Sequence, residues 1–355
     1  MADHLLDSRV RPIKTAVTGA VAAYRDVGAS LPAVKDLQLV GLVDPAMSTA
    51  KSWARQVGRP VVRASLVDLL ADVDAGAVMI WSDQGARTDE LLLALDQGLH
   101  ALVKGPLPLD LPHLREVVSL ARHRNVVLMP ACLRAADPAL LAAAHACRSG
   151  ITGRATHVRA EWTVPLDDEE PGGSDWRDLL AEFALCSIRL CSAALGPAVS
   201  LNADMDDIQP TGSAPRIANI VVQHDRGYAV LHLSHQRRGA PVEQYLVHGD
   251  AGVLQCVAAE GRGAGLPHGR IALARAGSSA PAVSVGGDLG RQSAAAALLN
   301  AYAGAMRGEP SPLPDMEALL AAYEFVEAAA VSSSERVRMP APHSAPLTAT
   351  PDALP

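Results

Sequence analysis

Lysine is nearly absent from this chain: only Lys14, Lys35, Lys51 and Lys104 occur, and the remaining basic residues are arginines. Almost any mechanism that needs a lysine amine must therefore use Lys104. The arginine bias, with the abundance of alanine, points to a GC-rich bacterial genome. Basic stripes are missing too, and the formal charge is −7, so attraction to nucleic acid or an anionic membrane has no support and a small-molecule partner is expected. No run approaches the ~18 apolar residues that span a bilayer, and the opening residues 1–12 mix Asp3 and Asp7 with Arg9 and Arg11 instead of building an apolar signal core. The expectation is a cytoplasmic protein. The five cysteines (Cys132, Cys147, Cys186, Cys191 and Cys256) are odd in number, scattered and without a C-x-x-C pair, which argues against a disulfide framework or a zinc site. The histidines show no metal spacing, and neither a G-x-S-x-G elbow, a P-loop nor an internal repeat is found. No metal is expected.

What is present is a chain of 355 residues, 49% apolar and 19% charged, long enough for two domains at the usual ~100 to 200 residues each. Short β-branched runs at 13–18, 37–43, 61–63, 77–81, 100–103 and 126–129 alternate with helical patterns at 49–57, 88–97, 111–124 and 138–148. That alternation predicts βαβ units and a doubly wound parallel sheet of Rossmann type. After Ser149-Gly150-Ile151-Thr152-Gly153 the pattern changes. A strand at 157–163, an acidic glycine-rich loop at 167–175 and a helix at 176–195 precede extended segments at 200–204, 218–223, 228–236, 242–248 and 252–257, with helices at 291–306 and 316–332. Successive strands without helices between them predict an α+β domain with a mostly antiparallel sheet. The expected organisation is an N-terminal arm (1–11), a dinucleotide-binding domain (12–150), a substrate and oligomerisation domain (151–335) and a Pro-rich disordered tail (336–355).

Gly19 ends the first strand, where a glycine lets the chain turn so that the next helix aims its N-terminal amides at a pyrophosphate. The stretch Gly19-Ala20-Val21-Ala22-Ala23-Tyr24 keeps one glycine of the three in G-x-G-x-x-G, and an ordinary βα turn is the competing reading. Asp44 ends the second strand 25 residues on. A carboxylate there can hold both adenosine ribose hydroxyls and repels a 2′-phosphate, which favours NAD over NADP; its alternative role is to cap the following helix. Trp81 is either a wall beside the cofactor or core packing at a strand end.

The register of these segments across most of residues 12–335 resembles the glucose-fructose oxidoreductase, inositol dehydrogenase and rhizopine-catabolism family. The resemblance is carried by Leu39 to Asp44, by Ser65 to Asp72 before the fourth strand, by Ala94 to Val103, by Asp137-Pro138-Ala139 followed by Gly150 to Arg154, and by His248 to Leu254. It implies NAD binding, with Gly19, Ala20, Val21, Ala22, Asp44, Trp81, Ser82, Asp83 and Lys104 around the cofactor, and a sugar, cyclitol or related substrate. It also implies a lysine from a Glu-Lys-Pro run, but this chain reads Lys104-Gly105-Pro106. The amine is thus lost or displaced by one residue, and Gly105 could allow a bulge to swing Lys104 back. The family's helical aspartate, histidine and second aspartate fall at Glu182, Cys186 and Arg189; Asp83 and Arg87 replace a usual proline and histidine, while Arg134 remains near an arginine position.

Two readings follow. One is an enzyme, either a dehydrogenase that uses Lys104 or a protein whose Lys104, Glu182, Cys186 and Arg189 serve other chemistry, with Cys186 as a nucleophile or simply core packing. The other is a cofactor or sugar sensor, or a partner subunit. The face carrying Tyr228, Val230, His232, Ser234 and Gln236 is expected to pair subunits into a homo-oligomer through the C-terminal sheet.

Overall fold

The short apolar runs of the N-terminal half become strands buried on both faces, as a parallel sheet covered by helices requires; Ala77, Val78, Met79 and Ile80 are all fully buried. The computed structural model describes residues 11–105, 107, 109–165, 176–206, 217–236, 242–257, 270–277, 283–285 and 291–342. Most of the expected N-terminal arm, the acidic loop 167–175 and residues 343–355 of the tail lie outside the described residues. Two units divide the chain: Met1–Ala131 with Leu298–Ser311, and Cys132–Ala297 with Pro312–Pro355.

In the first unit β1 (Ile13–Thr18) leads through α1 (Ala20–Ala23) to β2 (Leu37–Val43), α2 (Met47–Gln56), β3 (Val61–Arg63), α3 (Leu66–Asp72), β4 (Ala77–Ile80), α4 (Gln84–Asp96), β5 (His100–Val103), α5 (Leu111–His123) and β6 (Leu128–Pro130). Helix starts are set by local chemistry: the Ser65 hydroxyl accepts from the Asp68 amide, and Asp110 accepts from the His113 amide. The six strands run parallel in the order β3-β2-β1-β4-β5-β6. Strand order reverses between β1 and β4, and in such sheets ligands bind beyond the carboxyl ends of the strands at that reversal.

The second unit contains α6 (Pro138–Arg148), β7 (Ala155–Pro165), α7 (Trp176–Leu195), β8 (Ala198–Asp206), β9 (Ile217–His224), β10 (Gly227–Gln236), β11 (Val242–Gly249), β12 (Gly252–Val257), β13 (Arg270–Arg275) and β14 (Val283–Val285). Helix α8 (Arg291–Met306) begins in this unit and ends in the first; α9 (Met316–Glu335) and β15 (Met339–Pro340) complete the second. Its nine-stranded sheet has the order β14-β13-β12-β11-β7-β10-β9-β8-β15. Among the described residues only β7 and β10 of this sheet pair in parallel, so the sheet is mostly antiparallel, as the succession of strands in the sequence predicts. Val158, Ala160, Trp162, Ala218, Ile220, Val222, Ala229, Leu231 and Leu233 are buried on one face. The opposite face carries Tyr228 and Val221, 50% and 44% exposed.

Two features differ from the sequence reading. Helix α6 packs on α7 and β12, so the expected boundary at 150/151 falls inside the second unit. Residues 336–342, expected to begin a disordered tail, instead run along the sheet edge: Met339 and Pro340 pair with Leu201 and Ser200, and the Ala341 amide donates to Val199. Beyond this short pairing, the Ser332 and Ser333 hydroxyls of α9 accept from the β8 amides of Ala203 and Met205 at 3.0 and 2.9 Å.

Candidate functional site

The turn after β1 is built on Gly19, which adopts a left-handed conformation at φ 61°. A side chain there would overlap the Trp81 and Ser82 backbone. The glycine thus serves close packing of the first turn onto the end of β4, besides any approach of a ligand. Ala20, Val21 and Ala22 follow as the first residues of α1. Asp44, 7% exposed at the end of β2, points to this turn: its Oδ2 accepts from the Val21 amide at 2.9 Å and its Oδ1 from the Ala46 amide at 2.8 Å. The carboxylate therefore satisfies amides at the starts of two helical segments. Both its expected role at a ribose and its alternative role as a local cap use this placement.

After α1 the chain widens into a π-helical turn at Tyr24–Gly28, a feature that concentrates at functional positions. This turn supplies Asp26, a residue the sequence reading missed. Its Oδ2 accepts from Lys104 Nζ at 2.8 Å and from the indole Nε1 of Trp81 at 3.1 Å. Trp81 is buried, whereas the Lys104 side chain keeps 39% exposure. Trp81 and Lys104 immediately follow the paired residues Ile80 and Val103 of β4 and β5, which explains how one carboxylate reaches both. No bulge interrupts that pairing, and Gly105 is not in the left-handed region. Lys104 is held by Asp26 in its own register, and the swing through Gly105 is not seen.

At the ends of β1 and β4 lies a second network. Thr18 Oγ1 donates to Glu90 Oε2 at 2.6 Å, and the Ser82 hydroxyl has Glu90 Oε2 at 2.5 Å and Thr18 Oγ1 at 2.8 Å. Ser82 carries one proton and can serve only one of these acceptors at a time. Arg87 is buried and directs Nε and Nη2 to the Ser82 carbonyl at 3.0 and 2.7 Å. Asp83 is exposed and precedes α4 without a side-chain cap.

In the second unit α7 carries Glu182, Cys186 and Arg189. Glu182 and Cys186 are joined through Cys132, whose thiol lies 3.8 Å from Glu182 Oε1. Hydrogen bonding to Cys132, then burial, holds the Cys186 thiol well above its ordinary range. A neutral thiol buried to 1% exposure is a poor nucleophile, so the catalytic expectation for Cys186 gives way to packing. All five cysteines are buried and free. Arg189 lines a small cavity with residues of α6, and its Nε and Nη1 meet no hydrogen-bond partner among the described residues. Burial, then Arg148, pushes its guanidinium down to about 10.

The charged centre of this unit is elsewhere. The Arg134 guanidinium forms an ion pair with Glu243 and stacks 3.8 Å from the centre of the Trp162 ring. Tyr245 donates to Glu243 Oε1 at 2.5 Å. Burial opposes the charge on Arg134, but Glu243 and then Glu182 hold the guanidinium above its ordinary value. Register places Glu243 opposite Trp162 on adjacent strands β11 and β7. No group of three or more His, Cys, Asp or Glu side chains suited to a metal occurs among the described residues. None of the described helices is long and apolar enough to cross a membrane.

The six-stranded parallel sheet, with the Asp44 carboxylate on the turn after β1, is a Rossmann fold. Residues 13–132 match the glucose-fructose oxidoreductase, inositol dehydrogenase and rhizopine-catabolism family, described as an oxidoreductase family with an NAD-binding Rossmann fold. The chain is 26% identical over 176 residues to mouse (Mus musculus) trans-1,2-dihydrobenzene-1,2-diol dehydrogenase, covering 49% of this chain and 52% of that protein. It is 27% identical over 137 residues to the same enzyme of Xenopus laevis, covering 39% and 41%. It thus spans between 31% and 52% of the length of the curated relatives it matches. Similarity of fold reaches further. GenD2 from gentamicin A biosynthesis, solved with NAD, superposes with a TM-score of 0.72 at 18% identity over 93% of this chain and 97% of its own. An Agrobacterium radiobacter oxidoreductase solved with NAD+, L-tartaric acid and magnesium gives 0.73 at 15% identity over 92% and 98%.

Proposed function

We propose that this protein is a cytoplasmic, bacterial, NAD-dependent oxidoreductase acting on an alcohol carbon of a sugar, cyclitol or specialised polyhydroxylated metabolite. The observation that carries this reading is Asp44, a buried carboxylate at the end of β2 with its oxygens on the first βα turn. Its position fits the ribose hydroxyls of an adenosine and its charge disfavours a 2′-phosphate. The amides of Ala20, Val21 and Ala22 fit a pyrophosphate, Asp44 giving up Val21 on binding; Trp81, Ser82, Asp83 and Lys104 would border the nicotinamide. When bound, the nicotinamide supplies the hydride acceptor or donor. Lys104 holds a proton at Nζ and shares it with Asp26, a pair that can exchange a proton with a substrate hydroxyl.

A second reading is a cofactor or sugar sensor, or a partner protein. It is favoured by Gly105 standing at the family's lysine position while Asp26 retains Lys104. Titration with NADH, followed by tryptophan-to-nicotinamide energy transfer, tests both. Wild-type protein is expected to bind NADH more tightly than NADPH, and Asp44→Ala is expected to weaken NADH by about tenfold or more, the loss of charged hydrogen bonds. Asp44→Asn, which retains an acceptor, separates the charge from the turn geometry. No NADH binding by folded wild-type protein, or a preference for NADPH, would defeat the cofactor assignment. Turnover of a sugar or cyclitol that disappears in Lys104→Ala supports the enzyme; binding with no turnover supports the sensor.

We further propose that the Tyr228 face of the nine-stranded sheet pairs two copies of the chain, since Tyr228 and Val221 leave large apolar surface exposed there. Sedimentation of a Tyr228→Glu, Val221→Asp double variant is expected to show monomer where wild-type protein shows oligomer. Equal masses would exclude this face.

A further inference from the structure

Trp81 and Lys104 start from fixed backbone. The Trp81 amide donates to the Thr18 carbonyl at 3.0 Å and the Lys104 amide to the Ile80 carbonyl at 2.9 Å, so each stands just past its strand with the pairing still in place. Trp81 is held further by the first turn, because Gly19 lies so close that a side chain there would overlap the Trp81 backbone. The indole is buried, but the partly exposed lysine side chain is a flexible stem that backbone placement alone does not fix. Asp26 restrains it. The Asp26 side chain is only 12% exposed, and a carboxylate so nearly buried is unfavourable unless charge and hydrogen bonds answer it. One oxygen, Oδ2, meets both the Lys104 ammonium at 2.8 Å and the Trp81 indole N–H at 3.1 Å.

In this arrangement a stiff buried indole fixes a carboxylate, and the carboxylate fixes an amine. Reactive groups that must exchange a proton at a set place are oriented in the same way, by a second group that a third one holds. The π-helical turn at Tyr24–Gly28 brings Asp26 into the chain of contacts, since a turn wider than an α-helical one redirects the side chains it carries. We propose that Asp26 and Trp81 are positioning residues for Lys104, which hold its amine at the carboxyl ends of β4 and β5 where a substrate hydroxyl is to meet it. The proposal rests on the reading of Lys104 as the proton-exchanging group. It gives Trp81, beyond forming a wall beside the cofactor, a function exerted through its N–H alone.

The test uses the full chain with Asp26→Asn, which keeps the shape and removes the charge, and Trp81→Phe, which keeps an aromatic ring and removes the N–H. Because the chain has only four lysines, competitive labelling with acetic anhydride and peptide mass spectrometry reads Lys104 against Lys35 and Lys51. Lys104 is expected to react about threefold faster or more in either variant than in wild-type protein. With the sugar or cyclitol that wild-type protein turns over best, kcat is expected to fall about tenfold in Asp26→Asn and about threefold in Trp81→Phe, with KM and the NADH dissociation constant within about twofold. Unchanged labelling in Asp26→Asn overturns the proposal, and so does raised labelling with an unchanged kcat, the result for an ion pair that only stabilises the fold. A loss of NADH affinity that accounts for the lost turnover also overturns it and assigns Asp26 to cofactor binding. If wild-type protein binds NADH but turns over none of these compounds, the reading of Lys104 fails and the proposal with it; the labelling distinguishes that failure from a pair that never forms. Should Trp81→Phe fail to fold, Asp26→Asn decides alone.

Discussion

A Gly19→Val variant is expected to lose the folded N-terminal unit, with a destabilisation of about 3 kcal/mol or more. Two costs combine: valine is strained at φ 61°, and its side chain would strike the backbone of Trp81 and Ser82, which cannot move without disturbing β4. Thermal unfolding by circular dichroism measures the effect. Gly85→Ala is the control, because a methyl group at that position in α4 meets nothing within 4 Å and the residue is not left-handed; it should hold or slightly raise stability. A wild-type midpoint in Gly19→Val would contradict the close packing of the first turn onto β4. The distinction affects how cofactor experiments are interpreted. Failure of Gly19→Val to bind NADH reports a lost fold, whereas failure of Asp44→Asn reports a lost charge.

Glu243→Leu should cost about 3 kcal/mol, because it leaves the Arg134 guanidinium without its buried counter-charge and Tyr245 without its acceptor. The double variant Arg134→Met, Glu243→Leu should recover most of that loss, since apolar side chains of similar size can replace a buried ion pair; the remaining cost of about 1 kcal/mol falls on the Tyr245 hydroxyl. A urea double-mutant cycle gives the coupling directly. Additive losses would show that Arg134 and Glu243 stabilise the sheet independently, contrary to the geometry.

The parallel and antiparallel halves were readable because burial imposes different patterns on them. Ala77–Ile80 is buried on both faces and reads as an apolar run, while Ile217–His224 alternates inward and outward. That Asp44 closes β2 was readable from the apolar run before it. Asp26 was not. Its role depends on a π-helical turn that sets its direction and on two residues 55 and 78 positions away that converge on it. The Thr18, Ser82 and Glu90 network is similarly long-range. Glu243 was hidden for another reason: in Val242-Glu243-Gln244-Tyr245 the polar residues occupy both parities, and only the pairing with Trp162 decides that Glu243 faces inward. The place of Lys104 just after the fifth strand could be counted in sequence, but its carboxylate partner could not.

The hydroxyls of Ser332 and Ser333 on β8 have a consequence for how the protein behaves when crowded. An edge strand with bare amides is a template on which another extended chain can add, and repeated addition leads to open-ended, amyloid-like growth. Here α9 occupies the amides of Ala203 and Met205 with side-chain oxygens, and the returning chain at Met339 and Pro340 covers the neighbouring stretch. Proline adds a residue with no amide to donate. This edge is thereby closed to strand addition by an incoming chain, and the exposed Asp204 and Asp206 add charge to the strand itself.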